Sequence, residues 1–481
     1  MKRTLRACAA VLAAFFLLLQ SAPPPGQAEI AFDRGVIYWS FPQKVAGNKT
    51  ANVYVVKANL RDPRVQAMIA YPKAGLGSAA ALTAIARENQ ATAGINGGFF
   101  IPNKKIYPVD TMIADGTLVS RGFTNLPSFG ITSDRKAFIE PYTAWVVVTL
   151  CKSFTQFRVE GVNHPNKGIG ITLYTPAFGP MTNKSFPASD YVIERVNNKL
   201  IVTAVYEGGT SIPPNGYILS FHGVTRNIVR DLKVGDEVDV QTYLPPTPKN
   251  VKDLIASGPI LLRKGYKVPI KLDFLQAKQL SKRNPRSAVG ITKDGWLLLV
   301  AVDGRLKKSA GMTYPELASL MAELGAQDAI ALDGGGSTTL YGGGSVLNHP
   351  SGGKQRAVAN AILVRSQIPV LADGVPYYSD PKPVAVGAQV YLPARAILNH
   401  YGWTSEFNAA TGALFAVCPD RSFSLTAGQN PDSPVTLVDR PYTANGDLYV
   451  PYGLLSDLMG LSSEYHPATE QLFLTSQPRG D

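Results

Sequence analysis

Between Trp296 and Gly336, two apolar runs, Trp296–Val302 and Asp328–Leu332, flank a segment that carries full helix punctuation. Thr313 and Glu316 have capping-box spacing, Leu317, Leu320, Met321 and Leu324 recur on one face, and Gly325 ends the pattern. Strand, helix and strand in this order predict a βαβ unit whose strands point the same way, since a parallel return needs a crossover of about a dozen residues. Each strand runs into Asp-Gly. Asp303 and Asp333 are therefore expected at one sheet edge, beyond the carboxyl ends of the strands, where ligands of such sheets bind.

The remainder of the chain is heavily interrupted. Its 44 Gly and 36 Pro among 481 residues stop helices and make tight turns, which favours short strands joined by loops over a helical solenoid. Ala51–Ala58 and Val65–Tyr71 read as strands. Ser78–Gln90 reads as a helix with Ser78 as N-cap and Leu82, Ile85 and Ala86 on its apolar face. From Ala144 to about Tyr243, valine-rich and aromatic runs alternate with Gly, Pro and Asn turns. Beyond Pro369 the chain repeats itself: Tyr391, Pro393, Gly402, Glu406, Leu414 and Phe415 recur as Tyr449, Pro451, Gly460, Glu464, Leu472 and Phe473. Each copy reads strand, helix, Gly, hairpin, and neither alone can bury its apolar face, so the two are expected to pack together. The fold class is α+β. A β-rich mixed sheet with a few flanking helices occupies residues 29–367 and includes a mostly β subdomain at 144–250, and a small α+β repeat domain follows at 368–481.

Lys2, Arg3 and Arg6 precede an apolar run from Ala7 to Leu19 and a Pro-rich stretch ending in Gly26-Gln27-Ala28. This is the pattern of a secretory signal peptide, residues 1–28, with an apolar run too short to span a bilayer. No later segment reads as transmembrane, so the expectation is a secreted or cell-wall-associated protein without an integral membrane segment after cleavage. Cys8 leaves with the signal, and Cys151 and Cys418 are too far apart in sequence to form a disulfide framework. The formal net charge of +12 is spread thinly, which disfavours nucleic acid. It fits solubility or attraction to an anionic polymer or phosphorylated ligand equally well.

Several segments could carry chemistry. Asp333-Gly334-Gly335-Gly336-Ser337-Thr338-Thr339 follows a strand and can fold as a backbone nest for an anion, with two hydroxyls added, or as a simple tight bend. It lacks the Gly-Lys-Ser/Thr ending of a P-loop, and no Gly-x-Ser-x-Gly elbow occurs. Asn96-Gly97-Gly98-Phe99-Phe100 holds parts that suit a sugar, an amide for ring hydroxyls and an aromatic face for the pyranose, but a hairpin with a core Phe explains the same letters. Arg283-Asn284-Pro285-Arg286-Ser287 and Lys354–Asn360 supply guanidinium forks suited to phosphate. The five histidines lack metal-ligand spacing, so no metal or other cofactor is expected, and only His349 lies near the Gly-rich loop.

Together these residues resemble the bacterial phosphodiester glycosidase family, related to the lysosomal enzyme that removes N-acetylglucosamine from a phosphodiester on mannose. The resemblance runs in order through Ile95–Phe100, Ser257-Gly258-Pro259, Asn284–Gly290, Val302-Asp303-Gly304-Arg305, Gly311–Leu317, Leu332–Thr339, Asn348-His349-Pro350-Ser351 and Arg356–Ala361, within Arg34–Arg365. Leu371–Ser476 resembles the stalk domain named after the copper amine oxidase N-terminus, without a visible copper site. The resemblance implies hydrolysis of the bond between a sugar's anomeric carbon and phosphate in a sugar-1-phosphodiester. The substrate it implies is a phosphorylated glycan or glycopolymer, an N-acetylhexosamine on a cell-surface polymer, with the stalk holding a cell-wall polymer. Asp333, Asp303 and Arg286 would be catalytic, one aspartate acting as nucleophile or as base for water. Arg286, Arg356 and the amides of Gly334, Gly335 and Gly336 would stabilise the leaving phosphate. Asn96 and Asn360 would orient the sugar, and Gly97, Gly98, Ser337, Thr338 and His349 would complete the binding surface. Both aspartates are expected to serve chemistry and not the core. A non-catalytic cell-wall protein that holds anionic glycopolymers is the alternative. Metal-assisted phosphoryl transfer is disfavoured, because it needs a carboxylate cluster for magnesium.

Overall fold

The computed structural model describes residues 28–477, apart from 102–105, 123, 166–167, 183–186, 246, 272–279, 378, 380, 387–388, 429–439, 445 and 468–470. The expected signal peptide, Ala28 excepted, lies outside the described residues. The architecture is β-rich α+β, with many short strands and few helices. It divides into two compact units, one formed by the residues up to Arg61 with Gln66–Arg365, the other by Asp62–Val65 with the residues from Ser366 onward.

The larger unit is organised by eight elements that bear on the site. Val36–Val45 (β1) and Lys49–Asn59 (β2) form a long hairpin. Leu82–Glu88 (α1) and Ala93–Asn96 (β3) follow. Arg286–Thr292 (β4), Trp296–Val302 (β5), Tyr314–Glu323 (α2) and Ala326–Ala331 (β6) complete the set. One sheet runs β1-β2-β5-β4-β6 through its centre. Val53, Val55, Leu298, Val300, Val302, Ala329 and Ala331 from this sheet cluster with Leu317, Leu320 and Met321 of α2. Strand residues two apart share a face. The other face therefore carries Val56, Val289, Leu299 and Ile330, all fully buried. It packs against a second sheet, in which β3 lies between Leu340–Gly342 and Ala361–Ser366. The outer face of the second sheet is covered by Leu82, Ile85 and Ala86 of α1. The layers are helix, sheet, sheet, helix.

The segment from Trp296 to Gly336 folds with the predicted helix. Thr313 Oγ1 accepts from Glu316 N–H, Glu316 accepts from Thr313 N–H at 2.9 Å, and Gly325 ends the helix at φ +83°. β5 and β6 do point the same way, but they are not neighbours. β4 lies between them and pairs antiparallel with both, Arg286 opposite Val302 and Ala288 opposite Ala331. At the amino end of α1 the expectation fails. Ser78 donates its hydroxyl to the Gly75 carbonyl at 2.6 Å, the N-cap is Ala81, and α1 starts at Leu82. Ala80 is held out of the helix because it exchanges backbone bonds with Val358.

Trp145 to Tyr243 supplies an eight-stranded sheet with antiparallel central pairs. It buries Val146, Val148, Leu219 and Phe221 with Ile113 and Leu254 of a five-stranded neighbour. In the smaller unit each sequence repeat folds as strand, helix and hairpin. Gln389–Pro393, Ala394–His400 and Thr404–Cys418 form one copy, and Asp447–Pro451, Tyr452–Met459 and Leu461–Ser476 form the other. The two copies join through Tyr391 opposite Pro451 and Pro393 opposite Tyr449. Leu392, Ile397, Leu398, Leu414, Val450, Leu455 and Leu472 share one core.

Candidate active site

Strand alternation decides where the two aspartates go. Val302 and Ala331 both face α2, so Asp303, one residue further, turns to the opposite face, whereas Asp333, two residues further, turns back toward α2. The expected carboxylate pair is thus split between the two faces of one sheet edge, each aspartate in its own surroundings.

Asp333 lines a cleft of about 380 Å³ with Phe99, Lys282, Asn284, Arg286, Arg305, Tyr314, Gly334 and Gly335. Burial is the main effect on its carboxyl group and pushes the pKa up to about 6, against hydrogen bonds from Ser337 and Gly334 and the charge of Arg356. Arg286 is 5% exposed. Its Nε donates to the Met312 carbonyl at 2.9 Å, its Nη2 donates to the Lys282 carbonyl at 2.8 Å, and its guanidinium lies 3.7 Å from the Tyr314 ring centroid. The fork expected for phosphate is therefore committed along its Nε edge to the protein, with Tyr314 as a further side-chain partner. Lysine at this position would keep the charge but hold one carbonyl at most, without the flat stack. Arg286→Lys is expected to lower stability by about 2 kcal/mol, read as a fall in Tm at pH 7. An unchanged Tm would show that these contacts carry no weight.

Arg305 sits in the left-handed region at φ +60° and aims its guanidinium at Asn284 Oδ1, with Nε at 3.1 Å and Nη2 at 2.9 Å. Arg356 is exposed and places Nη1 3.4 Å from Ser337 Oγ. The three glycines let these groups close in. A Cβ on Gly334 would stand 2.9 Å from the Pro285 carbonyl, one on Gly335 would meet the Arg305 guanidinium at 3.2 Å, and one on Gly336 would collide with that of Arg356. The nest expectation is corrected. The amides of Gly335, Ser337 and Thr338 donate to the carbonyls of Pro285, Gly334 and Gly335, and that of Gly334 serves Asp333. The cations that line the cleft are Lys282, Arg286 and Arg305.

Other expected contacts are also reassigned. Asn96 is fully buried and does not reach a sugar. Its Nδ2 donates to the Asp333 carbonyl at 2.6 Å, and its Oδ1 accepts from Ser287 Oγ at 2.7 Å and Thr339 N–H at 3.1 Å, so it positions the Asp333 turn. Gly97 and Gly98 pack too closely on Asn360, Ile255 and the Ala256 carbonyl for any Cβ. Thr338 and Asn360 are 1% exposed, away from the cleft surface, and Ser337 is fully buried.

Asp303 is fully buried and accepts four hydrogen bonds. The donors are Tyr54 Oη at 3.0 Å, Asn348 Nδ2 at 3.1 Å, His349 N–H at 2.9 Å and His349 Nδ1 at 3.1 Å. Tyr54 Oη also lies 2.8 Å from His349 Nδ1. Burial, reinforced by the Asp303 charge, holds the Tyr54 hydroxyl protonated well beyond the usual phenol range. The side chain of His349 is 73% exposed. Sequence reasoning missed Tyr54, Lys282, Arg305, Tyr314 and Asn348 as site residues. A roomier hollow of about 550 Å³ in the β subdomain has no cation in its lining, and its one carboxylate, Glu194, is engaged by Thr203 at 2.7 Å.

Known proteins fall into place on this geometry. A sequence model of the phosphodiester glycosidase family matches residues 190–365. One for the copper amine oxidase N-terminal domain matches residues 371–474. The described residues hold no group of three or more His, Cys, Asp or Glu placed to bind a metal ion. A hypothetical protein from Synechocystis superposes with a TM-score of 0.63 at 25% identity, over 72% of this chain and 64% of its own. A putative exported protein from Burkholderia pseudomallei has the same fold, with a TM-score of 0.58 at 23% identity over 67% and 75% of the respective chains. The SPbeta prophage-derived uncharacterized protein YomE of Bacillus subtilis is 38% identical over 85 residues, 18% of this chain and 13% of that relative's length. Residues 190–365, which hold Arg286, Asp303, Asp333, His349 and Arg356, belong to the phosphodiester glycosidase family, and residues 371–474 form a copper amine oxidase N-terminal domain.

Proposed function

We propose that the protein hydrolyses sugar-1-phosphodiesters on phosphorylated glycans outside the cell, with the C-terminal unit as a stalk that holds it to a cell-wall polymer. The observation that carries this reading is the cleft in which Lys282, Arg286 and Arg305 surround a carboxyl group whose pKa is raised to about 6, with Arg356 beside it. One acid among several cations suits an anionic ligand that is to be protonated or charge-stabilised as it leaves. A phosphomonoester has a second pKa of about 6. A proton on Asp333 is therefore matched to the oxygen that departs from the anomeric carbon, and transfer between them is close to thermoneutral. The arginines and Lys282 hold the phosphate while the bond breaks. An N-acetylhexosamine is the sugar this reading assigns.

Incubating the protein with sugar-1-phosphodiesters and identifying both products tests the reading. Release of free sugar together with a phosphomonoester is expected. Binding of the diester without turnover at any pH from 4 to 9 would replace the hydrolase by a glycopolymer-binding protein.

A further inference from the structure

The Tyr54–Asp303–His349 cluster has a role that Asp333 and its cations leave unfilled. Tyr54 is protonated and donates to Asp303 Oδ2. Its oxygen can then accept from His349 Nδ1, as can Asp303 itself. Both neighbours of Nδ1 are acceptors toward the ring, so the proton of the neutral imidazole belongs on Nδ1 and the lone pair on Nε2. With a side chain 73% exposed, the ring presents that lone pair outward on a fixed mount. A histidine base oriented from behind by a buried carboxylate is the arrangement that activates an oxygen nucleophile.

The cluster is tied to the Asp333 loop. Asn348 Nδ2 donates to the Thr338 carbonyl at 3.2 Å, and Asn348 Oδ1 accepts from Leu340 N–H at 2.8 Å. Ser337, in the same loop, hydrogen-bonds Asp333. Asp303 and Asp333 end strands two places apart, which sets their backbones about 10 Å from one another. Double displacement needs its two carboxyl groups only about 5 Å apart, whereas single displacement leaves about 6.5–9.5 Å between them for the attacking water, and carboxylates turned to opposite faces from backbones this far apart do not meet the former requirement.

We propose that His349, held by Asp303 and Tyr54, is the base that deprotonates the attacking water, and that hydrolysis inverts the anomeric configuration. The inference rests on the glycosidase reading of the Asp333 cleft. Water attacks the anomeric carbon from the face opposite the phosphate and its proton goes to His349 Nε2. The bond between that carbon and the phosphate oxygen breaks with its electron pair on oxygen, which takes the Asp333 proton. Asp303 and Tyr54 do not touch substrate and are positioning residues.

The test is His349→Asn, which retains an amide N–H for Asp303 and, at so exposed a position, leaves the fold intact. The expected loss in kcat/KM on a sugar-1-phosphodiester is about 10²–10³-fold at unchanged Tm. The titratable groups against the ring are Asp303 and Tyr54. Any acid limb of the wild-type kcat/KM profile should flatten in the variant, with partial rescue of the rate by added imidazole. Proton NMR of wild-type product, taken before mutarotation, should show the inverted anomer. Retained configuration, or a His349→Asn enzyme with an unaltered pH profile, overturns the His349 assignment alone. Failure of the wild type to turn over any such diester overturns the glycosidase reading and this inference with it.

Discussion

Asp333→Asn is expected to lower kcat/KM on a sugar-1-phosphodiester by about a thousandfold and, at the same time, to make the protein more stable above pH 6. The activity loss follows from removing the one acid in a cleft of cations. The stability gain follows from linkage. The Asp333 carboxyl group titrates near 3.8 in the unfolded chain and at about 6 in the fold. From about pH 4 to 6 the native state keeps a proton that the unfolded state has released, so wild-type stability falls as pH rises through that window and stays low above it. A shift of this size corresponds to on the order of 2–3 kcal/mol. Asparagine carries no such penalty, so the Tm of the variant should draw ahead of wild type between pH 4 and 6 and hold its lead at pH 7 to 8. Thermal melts across this range decide the matter. A variant that is less stable at pH 7 than at pH 4, relative to wild type, would mean that Asp333 is held ionised by its arginines.

Asp303→Ala is expected to have the opposite profile, a large loss of stability that accompanies the loss of activity. Four donors converge on this carboxylate from β2, from the 348–349 turn and from the ring of His349. Removing it takes the carboxylate from four donors at once, leaving the Asn348 amide only the Thr338 carbonyl and the Tyr54 hydroxyl only the His349 ring, for a loss of about 3 kcal/mol. Asp303→Asn should lose less stability, since its carbonyl oxygen still accepts, but its amide presents a donor where His349 Nδ1 also donates. That favours the wrong tautomer, so the rate should fall even where the fold survives. Urea denaturation of both variants, alongside kcat/KM, separates the two effects. Near-wild-type stability of Asp303→Ala would show that the network is ornamental to the fold.

Much of the site region is legible in the residues alone. The Thr313–Glu316 box, the α2 apolar face and the Gly325 stop locate the helix, and the Asp-Gly pairs place both aspartates at one sheet edge. Local pattern does not reveal that Arg286–Thr292 inserts between the two strands, because pairing with a segment earlier in the chain leaves no mark on either strand's periodicity. That insertion sets the separation of the aspartates. Nor did the expectation of a shared site consider alternation, which sends residues one and two beyond the last inward position to opposite faces. Tyr54 looks like another aromatic in a buried strand, and only its meeting with Asp303, far away in sequence, gives its hydroxyl a task. Arg305 and Lys282 are surface cations by composition and cleft residues by virtue of the backbone turns beside them. The three glycines suggested an anion nest because a nest and a close approach need the same residue. The difference lies in what packs on them, here Pro285, Arg305 and Arg356.

The pairing between the repeats of the C-terminal unit has a consequence of its own. Tyr391 meets Pro451 and Pro393 meets Tyr449, while Tyr391 and Tyr449, like Pro393 and Pro451, are equivalent positions of the two copies. Exchanging the copies reproduces the contact, the defining property of an isologous interface. The unit is thus a pseudo-symmetric pair carried on one polypeptide, so the meeting of its halves is intramolecular. Each half carries an edge that is complementary to itself. This one contact therefore does not distinguish the first half from the second, and it is the covalent link, not the strand pairing between the halves, that fixes which half meets which.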